Sequence, residues 1–196
     1  MPKNAKANAD RRSGGKRGRT RAKLIEAAAE VIGEKGYDRA SLEEIAARAG
    51  MTRGAVYGNF KGKEELFLAL VANHWKPIVP SLKRGLGLKE QMHILGKTVA
   101  AEARGRQTQA SAATAFQLYV LTHKSMRDRM AGQNAAAYKR MAQEIVKVIP
   151  AKDLPMPADR FIRVLDALTT GLLFTYFQTP ELITEDIFIS AFEALA

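Results

Sequence analysis

The sequence of 196 residues contains no cysteine. This absence excludes disulfide bonds, cysteine metal sites and a cysteine nucleophile, and it is typical of proteins in a reducing cytoplasm. Long hydrophobic runs are also missing. The longest near the carboxyl terminus is GLLFTYF, whereas a membrane span needs about 20 apolar residues. The basic amino terminus is not followed by the apolar stretch of a secretory signal. We therefore expect a cytoplasmic protein without a membrane segment.

Residue groups that carry catalysis are equally scarce. The three histidines, His74, His93 and His123, lie far apart in the sequence, and none has a histidine partner four positions away. There is no glycine-rich phosphate loop and no triad that rises above chance. The sequence therefore predicts no metal site, no cofactor and no catalytic residue, and an enzyme is the least favoured class of function.

Signals for β-structure are absent as well, because no segment alternates apolar and polar residues over a strand length. Apolar residues recur instead at intervals of three and four over most of the chain, as on one face of an α-helix. Prolines in IPAKDLPMP mark a loop between two such segments. The sequence therefore predicts an all-α protein of about nine helices.

Positive charge is concentrated at one end of the chain. The net charge is +11, and residues 1–23 hold nine Lys or Arg residues against the single acid Asp10. The same segment contains three glycines and no apolar periodicity, so residues 1–19 are expected to form a disordered arm. Such an arm attracts polyanions, nucleic acid first and an anionic membrane second. The alternative is a solvated tail that only keeps the protein soluble.

Capping residues divide the next segment into three helices. An apolar helical stripe ends at Gly36, a residue type that stops helices. Ser41 and Glu44 form the S-x-x-E capping box of a second helix, which ends at Gly50. Thr52 then caps a third helix within MTRGAVYGNF. Two short helices joined by a tight turn and preceded by a third indicate a helix-turn-helix; an ordinary helical hairpin is the alternative.

The third helix carries two glycines, although each costs a helix about 1 kcal/mol relative to alanine. Val56 and Phe60 share one helical face, so Gly54 and Gly58 point away from the core. A surface without side chains lets a helix seat deeply in the major groove, which is about 12 Å wide. The bare surface therefore favours DNA binding by this helix.

Several side chains around this surface can contact DNA. Arg53, in the first turn, can reach a phosphate or the edge of a guanine, and Tyr57 can donate to a phosphate. The basic arm adds further cations. The predicted DNA-contacting residues of the helices and the arm are Ser41, Thr52, Arg53, Gly54, Ala55, Tyr57, Gly58, Asn59, Arg17, Arg19 and Arg21.

The stretch LEEIAARAGMTRGAVYGNFKGKEELF closely resembles the DNA-binding domain of the TetR/AcrR family of bacterial transcriptional regulators. The matching features are the IA-x-x-AG end of the second helix, the T-R-G-A-V-Y-x-x-F third helix and the F-x-x-K-x-x-L entry to the fourth. The resemblance implies that Lys63 touches phosphate. It also shows a departure at Gly58, where relatives often carry a larger side chain that reaches DNA.

The carboxyl-terminal region contains a helix near 158–178 with two apolar stripes, which needs two partners. The family resemblance implies a homodimer in which this helix and the last helix of each chain form a four-helix bundle. A larger core within one chain is the alternative. Two-fold proteins read palindromic operators. The predicted interface residues are Phe161, Leu165, Leu168, Leu172, Phe188 and Phe192.

The resemblance further implies a small-molecule effector that binds within the large domain. Phe116, Tyr119 and His123 fall on one helical line, and small-molecule sites are mostly apolar with a few polar groups. Aromatic residues on helices are more often plain core, which is the alternative here. The predicted pocket residues are Trp75, Phe116, Tyr119, His123, Phe174 and Phe177.

These features predict a basic arm over residues 1–19, a helix-turn-helix domain over 20–66 and a ligand-binding and dimerisation domain over 67–196. The favoured function is a homodimeric repressor that binds a double-stranded operator sequence-specifically and is released by a small, largely apolar ligand. The alternative is a nonspecific nucleoid-type DNA-binding protein driven by the arm.

Overall fold

The computed structural model describes the backbone of residues 3–74, 78 and 80–196, and the side chains of residues 15, 17–73, 78 and 80–196. These described residues form nine α-helices, which confirms the predicted all-α class. None of the helices in this part of the chain is long and apolar enough to cross a bilayer. The helices are α1 (Lys3–Lys35), α2 (Leu42–Arg48), α3 (Arg53–Tyr57), α4 (Lys63–His74), α5 (Leu88–Arg106), α6 (Ala110–Thr122), α7 (Lys124–Ile145), α8 (Ala158–Gln178) and α9 (Glu185–Glu193).

The chain divides into two compact units. The first comprises Met1–Lys76 with Ser111–Tyr119, and the second comprises Pro77–Ala110 with Val120–Ala196. The first unit therefore includes α4 and most of α6, whereas the sequence predicts a boundary after residue 66. The reason is packing, because α4 lies against α1 and buries its apolar residues there.

Helix α1 is longer than the sequence predicts, since it begins at Lys3 and includes most of the segment expected to be a disordered arm. That segment is rich in Ala, Lys and Arg, which are good helix formers, and it continues into the apolar part of the same helix without a proline. Its described side chains, including those of Arg17 and Arg19, are exposed. Full burial along α1 begins at Leu24.

Two glycines end the helices of the first unit as predicted. Gly36 follows α1 with a φ of 79°, and Gly50 follows α2 with a φ of 66°. Glycine adopts these left-handed angles without the steric penalty that a Cβ atom brings. The Gly36 amide donates to the Ile32 carbonyl at 2.8 Å, and the Met51 amide donates to the Ala46 carbonyl at 2.8 Å. Local signals therefore set where α1 and α2 stop.

The core of the first unit joins α1, α2, α3 and α4. Its buried apolar side chains come from all four helices and the turn after α3, and they include Leu24, Ala28, Val31, Ile45, Val56, Phe60, Phe67 and Leu70. At the surface, Arg48 of α2 binds Glu34 of α1 with two hydrogen bonds of 2.9 Å and Glu30 with one of 3.1 Å. The bond from Arg48 holds the pKa of the Glu34 carboxyl below its usual range. These contacts fix α2 against α1.

Four aromatic rings complete this unit. The Tyr37 ring centroid lies 4.6 Å from that of Phe67 and 4.2 Å from that of Tyr119. Phe67 also makes edge contacts with Phe116 at 5.6 Å and with Tyr119 at 5.4 Å. Burial is the main cause that raises the pKa of Tyr37. Phe116 and Tyr119 therefore pack within the first unit, whereas the sequence prediction placed them in the larger domain. Their contact with a ligand stays a prediction.

In the second unit, helices α5 and α9 approach each other very closely at Gly96. A Cβ atom at this position would lie only 2.7 Å from the Cα atom of Ile189 and 3.0 Å from the carbonyl oxygen of Phe188. Arg104 of α5 and Glu185 of α9 add an ion pair of 3.0 Å. The close approach therefore requires glycine at position 96.

Both apolar stripes of α8 pack, fully or in part, against α5, α7 and α9 of the same chain. The predicted interface residues Leu168 and Leu172 are partly buried against this core. The other four are buried in it: Phe161, Leu165, Phe188 and Phe192. These four side chains therefore belong to the core of one chain, whereas contact of the half-buried Leu168 and Leu172 with a second subunit stays a prediction.

Candidate nucleic-acid interface

Capping side chains position the two helices of the helix-turn-helix. The Ser41 hydroxyl accepts a hydrogen bond from the Glu44 amide at 3.1 Å, at the start of α2. The Thr52 hydroxyl accepts one from the Ala55 amide at 3.4 Å, at the start of α3. The Glu44 carboxylate pairs with Lys35 of α1. Both predicted caps are therefore formed, and Glu44 also connects α2 to α1.

Helix α3 turns an apolar face inward and a nearly bare face outward. Val56 is completely buried and Phe60 exposes 2% of its surface, whereas Gly54 and Gly58 are exposed. A Cβ atom on Gly54 would meet the Thr52 hydroxyl at an ordinary 3.7 Å, so this glycine serves no close packing within the chain. The outward placement of the two glycines agrees with the sequence prediction.

Arg53 and Tyr57 stand on the outer side of α3. An Arg53 Nη2 donates to the Tyr57 hydroxyl at 3.2 Å, and its Nη1 lies 2.9 Å from Oε1 of Glu43. The bond to Tyr57, followed by the charge of Glu43, raises the pKa of Arg53. The Arg53 side chain is still 62% exposed, so its guanidinium stays accessible to an anion. Glu43 was not predicted as part of this site, since it lies on another helix.

Asn59 closes the last turn of α3. Its Nδ2 donates to the Ala55 carbonyl at 2.8 Å, and its Oδ1 is buried. The sequence predicts a DNA contact at this position because Asn59 lies near the border of the helix face. In this structure the side chain instead caps α3 by bonding to the backbone of that helix.

Lys63 begins α4, where the family resemblance implies a phosphate contact. Its Nζ donates to the Asp38 carbonyl at 3.0 Å and lies 4.4 Å from the centroid of the Tyr37 ring. Burial lowers the pKa of the Lys63 ammonium, and the charge of Asp38 opposes this shift. Lys63 therefore joins α4 to the loop before α2, and a contact with phosphate stays a prediction.

Two of the three amino-terminal arginines predicted to contact DNA face the end of α3. Arg21 donates through Nη1 to the Asn59 carbonyl at 2.7 Å, and Arg17 donates through Nη2 to the Gly58 carbonyl at 3.3 Å. Arg19 is exposed. Sequence reasoning missed the contacts of Arg17 and Arg21, because their partners lie 41 and 38 positions away and no spacing rule connects them.

Three further predicted pocket residues, His123, Phe174 and Phe177, belong to the second unit. Trp75 lies outside the described residues. The Phe174 and Phe177 rings of the second unit lie 5.9 Å apart, and His123 lies before α7 with Nδ1 3.0 Å from the Thr122 hydroxyl. Across the described part of the chain, no three His, Asp or Glu side chains are grouped to hold a metal. A groove of about 820 Å³ is lined by other residues, including Ala131, Ala135, Tyr138, Ala142, Val146 and Ala158.

Comparison with known proteins identifies relatives of the chain. A family model described as bacterial regulatory proteins of the tetR family matches residues 24–70. The HTH-type transcriptional regulator SrpR from Pseudomonas putida is 30% identical over 159 residues, which cover 79% of this chain and 74% of SrpR. TtgR from Pseudomonas putida is 48% identical over 52 residues, 26% of this chain and 25% of TtgR. NalD from Pseudomonas aeruginosa has a similar fold, with a TM-score of 0.61, 22% identity and coverage of 90% of this chain and 93% of that one.

The capped helices α2 and α3, with the exposed outer face of α3, define a helix-turn-helix protein that binds DNA. The chain belongs to the TetR family of bacterial transcriptional regulators. The family predicted from the LEEIAARAG and TRGAVY motifs is thereby confirmed, and the relatives named above are regulators of transcription.

Proposed function

We propose that this TetR-family regulator is a homodimeric, sequence-specific repressor that leaves its operator when a small, largely apolar ligand binds. The observation that carries the proposal is the outer face of α3, where Arg53 and Tyr57 are exposed beside two bare glycines. Arg53 offers a planar fork of donors that suits guanine O6 and N7 or a phosphate, and Tyr57 offers a hydroxyl for a phosphate.

The pair between Arg53 and Glu43 is compatible with this role. Both side chains are more than half exposed, and exposed ion pairs contribute about 1 kcal/mol or less. A phosphate or guanine can therefore replace Glu43 at little cost in free energy. Before DNA binds, Glu43 keeps the guanidinium close to the outer face of α3.

The proposed homodimer uses the part of the α8 and α9 surface that one chain leaves uncovered. Gly171 of α8 is exposed, and a Cβ atom there would have no neighbour within 4 Å. Leu182, before α9, and Ile187 on α9 expose 67% and 40% of their surfaces. An exposed small residue on α8 and exposed apolar side chains at α9 are suited to contact with a second helix pair, so we assign the partner subunit to the exposed surface of these two helices.

The proposed effector site lies in the second unit, with His123, Phe174 and Phe177 as its candidate residues. These side chains combine apolar rings with a polar group, which is the usual composition of a small-molecule site. NalD, which shares the fold, is described as the secondary repressor of the MexAB-OprM multidrug efflux pump. That description supports repression as the proposed action of this chain.

Selection of binding sites from a random duplex library tests the proposal. We expect the full chain to enrich a palindrome, and two chains to bind each site. A dimer with two such helices reads half-sites about 34–36 Å apart or a multiple of that spacing. Equal binding to all sequences, or binding of one chain to an isolated half-site with full affinity, would contradict the proposal.

The basic arm supports a second candidate, a nonspecific nucleoid-type protein, because residues 1–23 carry eight of the eleven net positive charges. Deletion of residues 1–15 separates the two functions and keeps the contacts of Arg17 and Arg21 with α3. For the repressor, affinity falls and the salt dependence becomes less steep, but the preference for the operator survives. Loss of all DNA binding would favour the nonspecific protein.

A further inference from the structure

We infer that Arg21, assisted by Arg17, is a positioning residue that fixes the carboxyl-terminal end of α3, and that its guanidinium does not bind a DNA phosphate. The inference rests on the proposed function, because α3 matters as the helix that enters the groove. Under this inference, a side chain of α1 holds α3, the helix proposed to enter the major groove, in a fixed position.

The contacts of Arg21 are directed at the protein. Its Nη1 donates to the Asn59 carbonyl at 2.7 Å, and the centre of its guanidinium lies 4.1 Å from the centroid of the Phe60 ring. Phe60 is itself buried, with 2% of its surface exposed, so its ring has a fixed position against which the guanidinium packs. Arg21 is partly buried, unlike its exposed neighbour Arg19. A guanidinium held by a carbonyl and a ring face has a defined position.

Helix α3 needs such support because it has five residues. Short helices are not stable alone, and the last carbonyl groups of a helix have no partner within it. Arg21 and Arg17 donate to the carbonyls of Asn59 and Gly58, which directly follow α3. Cations at a helix carboxyl terminus are also favoured by its dipole. The two arginines therefore supply hydrogen-bond donors to carbonyl groups at the end of α3, where Gly58 contributes no side chain.

Arginine suits this role better than lysine. A guanidinium is planar, so it can stack on a ring and still donate along its edge, whereas an ammonium is a compact point charge. The substitution Arg21→Lys keeps the positive charge but removes the stacked geometry. A phosphate contact would tolerate this change, and a positioning contact would not.

Backbone hydrogen exchange in the DNA-free protein tests the inference directly. The amides of Gly58 and Phe60 close the last turn of α3, with bonds of 2.9 Å to Gly54 and 2.8 Å to Val56. Loss of one such supporting hydrogen bond corresponds to exchange that is about tenfold faster. We expect this acceleration in Arg21→Lys and in Arg21→Gln, but not in the matched control Arg19→Gln. If the Gly58 and Phe60 amides of both Arg21 variants exchanged at the wild-type rate, the inference would be overturned.

Binding to the selected operator gives the second readout. If Arg21 bound a phosphate, Arg21→Gln would reduce the slope of log K against log salt by about 0.9. Positioning predicts an unchanged slope, with a lower ratio of operator to nonspecific affinity in both Arg21 variants. A reduced slope in Arg21→Gln with a wild-type ratio in Arg21→Lys would overturn the inference. If the wild-type chain selects no operator, the proposed function fails, and the exchange experiment still decides the role of Arg21.

Discussion

At the scale of single residues, the segment MTRGAVYGNF divides its side chains between two faces. Val56 and Phe60 are buried, Arg53 and Tyr57 are exposed, and the remaining outer surface is glycine. Helical spacing is enough to predict this division, since it depends on residues within one or two turns. The inward contact of Asn59 was not predictable in the same way, because a border position can turn to either side.

Gly58 is the residue whose substitution tests the groove-facing assignment. Its φ of −70° and ψ of −15° suit any residue, and the position is exposed. We therefore expect Gly58→Phe to fold normally but to lower operator affinity at least about tenfold, since each 1.4 kcal/mol of binding free energy is a factor of ten. Gel-shift titration measures the affinity. An unchanged affinity and preference would show that this face lies outside the groove.

Gly54→Ala is the matched control for helix stability. Gly54 lies inside α3, and its Cβ would meet the Thr52 hydroxyl at 3.7 Å, so alanine should stabilise the first unit by about 1 kcal/mol. Gly58→Ala should gain less, because its Cβ would lie 3.3 Å from the Gly54 carbonyl, which must move slightly. Urea unfolding of the two variants checks this order, and a larger gain at position 58 would contradict it.

At the scale of elements, Gly96 controls how closely α5 and α9 pack. A Cβ atom at this position would meet the backbone of α9 at 2.7 Å, and backbone cannot move aside as a flexible side chain can. Gly96→Ala should therefore destabilise the second unit by about 1–3 kcal/mol, as overpacking generally does. The midpoint and slope of urea unfolding give the free energy of unfolding.

Gly132→Ala is the control for this prediction. Gly132 is an exposed glycine inside α7, and a Cβ there would have no neighbour within 4 Å. Alanine at this position should stabilise the protein by about 1 kcal/mol. If both alanine variants were stabilised, the close approach of α5 and α9 would be wrong.

The stability that the ion pair between Arg48 of α2 and Glu34 of α1 contributes to the fold should depend on pH. The hydrogen bond from Arg48 depresses the pKa of Glu34 below its ordinary value of 4.5. A carboxyl with a depressed folded-state pKa stabilises the fold above pH 4.5, and this contribution disappears as pH falls through the folded value. Glu34→Gln should lower the urea midpoint at neutral pH and make it less sensitive to acid. High salt should reduce the difference, and equal acid sensitivity of both proteins would contradict the assignment.

Capping signals predicted where α1 ends, where α2 begins and ends, and where α3 begins, whereas the packing partners of the elements were not predictable. Ser41, Thr52, Gly36 and Gly50 act through local backbone geometry, so their roles follow from sequence. The two apolar stripes of α8 show that this helix has two neighbours, but the stripes do not say whether a neighbour belongs to the same chain. For this reason Phe161 and similar residues were assigned to the dimer interface and are found in the core.

At the scale of the whole molecule, the fold class and the family follow from sequence, but the division into units does not. Phe116 and Tyr119 lie in the first unit because they contact Tyr37 and Phe67, which are distant in sequence. Helical periodicity places both residues on one face of α6 and contains no information about this pairing. Contacts between residues distant in sequence therefore decide the unit to which these two rings belong.

The proposed dimer interface can be tested by the association state of the whole molecule. Gly171→Glu would place an unpaired charge on the face assigned to the partner subunit, and burial of an unpaired charge costs several kcal/mol. We expect this variant to sediment as a monomer at concentrations where the wild-type chain is dimeric. Gly132→Glu, at an exposed glycine on α7, should remain dimeric. If both variants dimerised equally well, α8 would lie outside the dimer interface.

The central claim is that the outer face of α3 reads the operator, and operator binding by Arg53→Ala and Tyr57→Phe tests it most directly. The measurement is the affinity of each variant for the selected palindrome and for a scrambled duplex. A bidentate bond to a base is worth about 1–3 kcal/mol, so we predict that Arg53→Ala lowers operator affinity about tenfold or more and reduces the preference over scrambled DNA. Tyr57→Phe should weaken binding to both duplexes alike, as expected of a phosphate contact. Unchanged affinity and preference in both variants would contradict the claim.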